Sequence, residues 1–176
     1  MSFTLFADAR LALARDSLAG LSTGDALGAR FFLPGPPEDL ADVTLPPAPW
    51  EWTDDTEMAC SVVAELAATG GIDRDRLALA FAQRCDARRG YGPGAMLILR
   101  LIRTGTPWPV AAASAFDGQG SCGNGAAMRV GPLGAYFADS TARAAAQARA
   151  SAEVTHAHPE GIAGAVAVAV AAALAA

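Results

Sequence analysis

Residues 52–71 read Trp52-Thr53-Asp54-Asp55-Thr56-Glu57-Met58-Ala59-Cys60-Ser61-Val62-Val63-Ala64-Glu65-Leu66-Ala67-Ala68-Thr69-Gly70-Gly71. Met58, Ala59, Val62, Val63 and Leu66 recur at spacings of three and four, which puts them on one side of an α-helix. Asp55 is a candidate N-cap, so the spacing predicts a helix from Thr56 to about Thr69, ended by Gly70-Gly71. Two adjacent carboxylates and two hydroxyls therefore stand where a loop enters a helix. Crowded acids repel unless a cation or hydrogen bonds compensate. The set has two readings: ordinary helix capping, or hard oxygen ligands for Mg²⁺, Mn²⁺ or Ca²⁺. Three residues cannot fill an octahedral site, so further ligands would come from elsewhere or from water.

The same helical period extends in both directions. Leu5, Ala9, Ala12, Leu13 and Leu18 mark an amphipathic first helix between Phe3 and Leu21. A second short helix is predicted from Gly24-Asp25-Ala26-Leu27. Downstream, Asp73 is placed to cap a helix with Leu77, Ala80 and Phe81 inward. Pro93 opens one carrying Met96, Leu97, Ile98, Leu101 and Ile102. Thr106-Pro107 begins a short helix to about Phe116, and Ala126 to Phe137 reads as another. Ser140 caps an Ala-rich helix to about Val154, and a last helix follows Pro159. No strand alternation and no internal repeat is visible. The fold class expected is all-α, one compact multi-helix domain over residues 1–176.

Composition agrees. Of 176 residues, 52% are hydrophobic and 7% aromatic, enough for a core but poor in the residues that favour sheets. Thirteen basic residues, all Arg, against eighteen acidic ones give a net charge of −5. No basic groove for nucleic acid is indicated. Cys60, Cys85 and Cys122 form no Cys-x-x-Cys pair, so neither a disulfide framework nor a zinc site is implied, and a reducing, cytoplasmic setting fits. Gly161 to Ala176 carries no charge, but it is shorter than the roughly twenty residues of a membrane span, and a buried core helix is expected. Phe31 to Trp50 holds six of the eleven prolines and reads as a long irregular loop, either functional or a passive surface excursion.

Three further clusters carry chemical potential. Gly118-Gln119-Gly120-Ser121-Cys122-Gly123-Asn124-Gly125 precedes a helical stretch. Such backbone can form an anion-binding nest for a phosphate or diphosphate, or be a mere turn; it lacks the Gly-Lys-Ser/Thr of a P-loop. Thr155-His156-Ala157-His158-Pro159 holds both histidines. His156 is suited to donate to a phosphate or sugar hydroxyl or to move a proton, or one histidine caps a helix. In Arg89-Gly90-Tyr91-Gly92, Tyr91 can contact a sugar or phosphate or pack on the core.

Taken in order, these motifs resemble the ADP-ribosylglycohydrolase family. The residues that carry the resemblance are Gly24-Asp25-Ala26-Leu27-Gly28, Trp52 to Ala59, Arg89-Gly90-Tyr91-Gly92, Gly123-Asn124-Gly125-Ala126-Ala127-Met128-Arg129 and Thr155-His156. The resemblance implies an all-α orthogonal bundle with two Mg²⁺ or Mn²⁺ ions in a cleft. It implies hydrolysis of the glycosidic bond between ADP-ribose and a protein side chain, Arg or Ser, or a related ADP-ribose conjugate. Thr53, Asp54 and Asp55 match the first metal-ligand cluster, with Asp54 and Asp55 as the catalytic pair. Gly120 and Ser121 match the diphosphate loop, continued by Gly123 and Asn124. Phe116 and Cys122 fall near the adenine, and His156 near the ribose and phosphates. Gly90, Tyr91 and Gly92 match a loop by the substrate.

The chain departs from the family pattern at three places. Phe32 stands where members commonly carry a Glu, and Glu38 or Asp39 is a candidate replacement. Cys122 stands where several members have an aromatic residue. The second metal cluster, an Asp-x-Asp-Thr run, has no counterpart after His156, so either it is supplied beyond Ala176 or the chain is a natural truncation. The readings that compete with catalysis are an ADP-ribose-binding pseudoenzyme and a crystallin-like structural protein.

Overall fold

A computed structural model describes residues 4–31, 45 and 47–176. Phe32, Glu38 and Asp39 lie outside the described residues, as does most of the proline-rich loop. Among the described residues there are eight α-helices and no strand: α1 (Ala7–Gly28), α2 (Asp54–Thr69), α3 (Arg74–Arg84), α4 (Pro93–Arg103), α5 (Trp108–Ala113), α6 (Gly131–Tyr136), α7 (Thr141–Glu153) and α8 (Pro159–Ala175). The all-α expectation is met.

Local signals place several boundaries. Asp73 and Ser140 accept from the backbone N–H three residues on, at Arg76 and Arg143, and so start α3 and α7. Gly70 closes α2 in the left-handed region, at φ 72°, where a Cβ would be strained. Pro93 occupies the first turn of α4, where its missing N–H costs nothing.

Three boundaries differ from expectation. The first helix does not break before Gly24; α1 runs on to Gly28. Glycine within a helix costs only about 1 kcal/mol, and the packing of α1 against α2 and α6 outweighs it. The N-cap of α2 is Thr53, not Asp55, so both aspartates sit in the first turn. The stretch Ala126–Phe137 is not one helix. A 3₁₀ turn covers Asn124–Ala126, and α6 begins afresh at Gly131, because Pro132 cannot donate within a continuing helix.

The core gathers Leu66, Leu77, Phe81, Ile98, Leu99, Leu133 and Phe137 at the meeting of α2, α3, α4 and α6. Helix α8 lies against α6 and α7. It buries Ile162, Ala165, Ala169 and Ala173, a single face at spacings of three and four, while Val168 and Leu174 are exposed on it. Contact with α6 is close at Gly134: a Cβ there would lie 2.2 Å from the Ala169 carbonyl oxygen. No described helix is long and apolar enough to cross a membrane.

Candidate functional site

The acidic cluster is assembled by Asp25, near the end of α1. Its Oδ1 accepts from the Thr53 hydroxyl at 2.5 Å, and its Oδ2 from the Thr56 hydroxyl at 2.6 Å. The backbone N–H groups of Thr53 and Thr56 also donate to Oδ2, at 2.7 and 3.3 Å. One carboxylate thus takes four donors from the start of α2 and ties it to α1. Thr53 Oγ in turn accepts from the Asp55 N–H at 3.4 Å.

Asp54 and Asp55 remain without a basic partner among the described residues. Both are half-buried. Asp54 is pushed up to about 6, by burial first and then by the neighbouring charges of Asp55, Asp25 and Glu57, against a lowering backbone hydrogen bond. Asp55 is raised by burial and by Asp25. Two carboxylates held under such repulsion are an environment that a cation relieves. Among the described residues no three His, Cys, Asp or Glu side chains converge as a closed metal cage, so the cluster offers an open edge rather than a complete ligand set.

Glu57, one turn further along α2, anchors the loop before α4. It accepts from the Tyr91 hydroxyl at 2.7 Å and from the Asp86 N–H at 3.0 Å. Arg89 stacks over the Trp52 ring at 3.5 Å and donates to the Trp52 carbonyl. The loop is thereby fastened to both flanks of the Thr-Asp-Asp stretch. Gly90 adopts φ 86° and its missing side chain leaves Asp54 unobstructed, a Cβ there lying 3.9 Å from Oδ1.

Two cavities meet along Asp54 and Asn124, which line both. The acidic one, about 610 Å³, is bounded by Asp25, Thr53, Asp54, Asp55 and Gly90. The other, about 270 Å³, has apolar walls from Met58, Pro93, Ile98, Leu99 and Met128, with Ser121, Arg129, Thr155 and His156 as polar contributors. Phe116 stands at its edge, largely exposed, with φ 52°, and Asp117 follows at φ 56°. Two successive non-glycine residues at positive φ are a strained turn of the kind that clusters at ligand sites.

The site residues expected from sequence are therefore distributed as follows. Thr53, Asp54, Asp55, Gly90 and Asn124 line the acidic cavity; Asp54, Gly92, Phe116, Ser121, Gly123, Asn124 and His156 line its neighbour. Tyr91 is buried with its hydroxyl on Glu57 and lines neither. Gly120 packs against Ala157 and His158, where a Cβ would approach within 2.6 Å of the Ala157 Cβ. Cys122 is exposed and also lines neither. His158 caps α8 through Nδ1.

Sequence reasoning gave no role to Asp25, Glu57 or Arg129. All three stand in quoted motifs, yet their work depends on contacts 22 and more residues away. The one local signal was an ionisable residue inside an otherwise small and apolar stretch.

A sequence profile of the ADP-ribosylglycohydrolase family matches residues 7–176. ADP-ribosylhydrolase ARH3 of Homo sapiens is 35% identical over 135 residues, spanning 66% of this chain and 37% of that protein. The Bos taurus ARH3 is likewise 35% identical, over 138 residues. The uncharacterised protein YegU of Escherichia coli K12 is 38% identical over 141 residues, 67% of this chain and 40% of its own length. The matched region thus covers well under half the length of these relatives.

Proposed function

Because the chain belongs to the ADP-ribosylglycohydrolase family, we propose that it takes part in metal-assisted hydrolysis of the glycosidic bond joining ADP-ribose to a protein side chain, Arg or Ser, or to a related conjugate. The observation that carries this reading is the pair of adjoining cavities. One is lined by Asp54 and Asp55, which have no basic partner among the described residues, and the other is apolar and edged by a glycine-rich loop. A ligand with a polyol at one end and an aromatic base at the other matches that division. The similarity to ARH3 supports the same substrate class.

The residues suited to hold Mg²⁺ or Mn²⁺ are Thr53, Asp54 and Asp55. Their chemistry fits: hard oxygens, two of them on carboxylates that repel each other, and a Thr53 hydroxyl whose own proton is committed to Asp25. A bound divalent ion would supply electrostatic stabilisation and a more acidic water. The chain's own share is to hold those oxygens. Asp25 keeps Thr53 and Thr56 from turning; Glu57 keeps the Gly90 loop against the acidic cavity; Asn124 lines both cavities. The apolar walls from α4 exclude water from the base end.

The test is release of ADP-ribose from modified Arg and Ser substrates by the full-length protein with Mg²⁺ or Mn²⁺. Asp54→Asn and Asp55→Asn are expected to lower the rate at least a hundredfold, on the order of the loss of a key electrostatic group. ADP-ribose binding without turnover would support a pseudoenzyme instead. Absence of both metal and ADP-ribose binding would point to a structural role.

A further inference from the structure

Arg129 is fully buried beneath the apolar cavity. Among the described residues no carboxylate pairs with it. Its neighbours are neutral. Nη1 donates to Thr155 Oγ at 3.0 Å and to the Gly125 carbonyl at 3.2 Å; Nη2 donates to the Ser151 carbonyl at 2.5 Å. The guanidinium also lies 4.5 Å from the Phe81 ring centroid. A buried cation is costly unless hydrogen bonds satisfy it, and this one spends a donor on a threonine hydroxyl.

That hydroxyl has one proton and two lone pairs. Arg129 occupies a lone pair. The proton has one described acceptor in reach, Nδ1 of His156 at 2.8 Å. The Nε2 side of the ring packs on Gly125, where a Cβ would lie 3.4 Å from Nε2. A proton on Nδ1 instead would strand the Thr155 hydroxyl proton. Two glycines pack against the ring. A Cβ at Gly125 would lie 3.2 Å from Cε1, and one at Gly161 3.0 Å from Cδ2.

We propose that Arg129 and Thr155 are positioning residues, which hold His156 as the neutral tautomer with its proton on Nε2 and through it fix the 121–125 loop that lines both cavities. The donors run one way, from Arg129 to Thr155 and from Thr155 to His156. Burial and the Arg129 charge lower the imidazole to about 4, so the ring is uncharged at neutral pH. His156 is therefore a fixed donor and not a proton carrier. The effect on ligand binding rests on the proposed ADP-ribose site; the tautomer does not.

The experiment joins nitrogen NMR of the histidine rings at neutral pH with calorimetric titration of ADP-ribose. The chain has two histidines, and a His158→Gln variant assigns the signals. Wild-type His156 is expected to show a proton-free Nδ1 and a protonated Nε2. Thr155→Val is expected to mix the tautomers and weaken ADP-ribose binding roughly five- to tenfold, the worth of one neutral hydrogen bond. Thr155→Ser, which keeps the hydroxyl, is expected to restore both. A proton on Nδ1 in the wild type overturns the proposal, as does Thr155→Val with unchanged tautomer and affinity. If Thr155→Val does not fold, the wild-type spectrum and Thr155→Ser still decide. A wild-type protein that lacks ADP-ribose affinity yet shows the expected tautomer counts against the proposed function and leaves the relay standing.

Discussion

Replacing Asp54 by Asn is expected to stabilise the metal-free protein at pH 7.5. Asp54 titrates at about 6 in the fold against an ordinary value of 3.8, so the folded state holds its proton where the unfolded chain has lost it. The sign follows from linkage: between pH 3.8 and 6 the native state binds more protons, and stability falls as pH rises. Below that window Asp54 is protonated in both states and the shift has no effect. Above it the full penalty applies. A difference of about two pH units corresponds to at most about 3 kcal/mol. The group is only half-buried, so water screens part of that, and about 1 kcal/mol is the expected gain from Asn. Urea unfolding of wild type and Asp54→Asn, in chelator at pH 3.5 and pH 7.5, measures it. The two should differ little at pH 3.5, and Asn should be the more stable at pH 7.5. Adding Mg²⁺ should narrow or reverse the gap, because only the wild type gains a ligand that binds the native state. If Asn is neutral or destabilising at pH 7.5 without metal, the repulsion argument is refuted.

Other outcomes follow from single contacts. Gly134→Ala sets a Cβ 2.2 Å from the Ala169 carbonyl oxygen and should cost about 1–3 kcal/mol in thermal or urea unfolding; a loss below about 0.5 kcal/mol would mean that α6 and α8 are not so closely apposed. Tyr91→Phe leaves Glu57 short of a donor and should cost about 1–2 kcal/mol, with faster proteolysis of the 85–92 loop; equal protection in both proteins would dismiss the tether. Asp25→Ala strips four donors of their acceptor and should weaken Mn²⁺ binding at least tenfold, as loss of an outer-shell partner typically does, measurable by calorimetry; unchanged affinity would show that Thr53 does not need to be held.

The parts of the fold that sequence reveals are those decided within one helical turn. Gly70, Asp73, Pro93 and Ser140 each act on residues no more than four away, and each boundary lies where the spacing put it. Errors begin where a distant partner decides. Gly24 looks like a break, yet α1 continues because its neighbours in space hold it. Asp55 looks like the cap of α2, but Asp25 fixes Thr53 from 28 residues upstream and moves the start by two. At the site, the Thr-Asp-Asp cluster is legible because all its members are adjacent. Tyr91 is not: whether its hydroxyl meets a ligand or Glu57 depends on how the loop folds back over α2. Arg129 was visible as a letter in a motif, whereas its solitary burial belongs to the packing of α2, α3 and α7 around it.

The glycines packed on the 156–158 segment also set where this scaffold can change its tastes. Gly120, Gly125 and Gly161 each face a wall closer than 3.3 Å, so a library that randomises them will return mostly misfolded chains. Gly92 and Gly94, which line the apolar cavity, have nothing within 4 Å of a Cβ. Selection for a different aromatic group should therefore accumulate changes at 92 and 94 while the glycines against the 156–158 segment stay monomorphic.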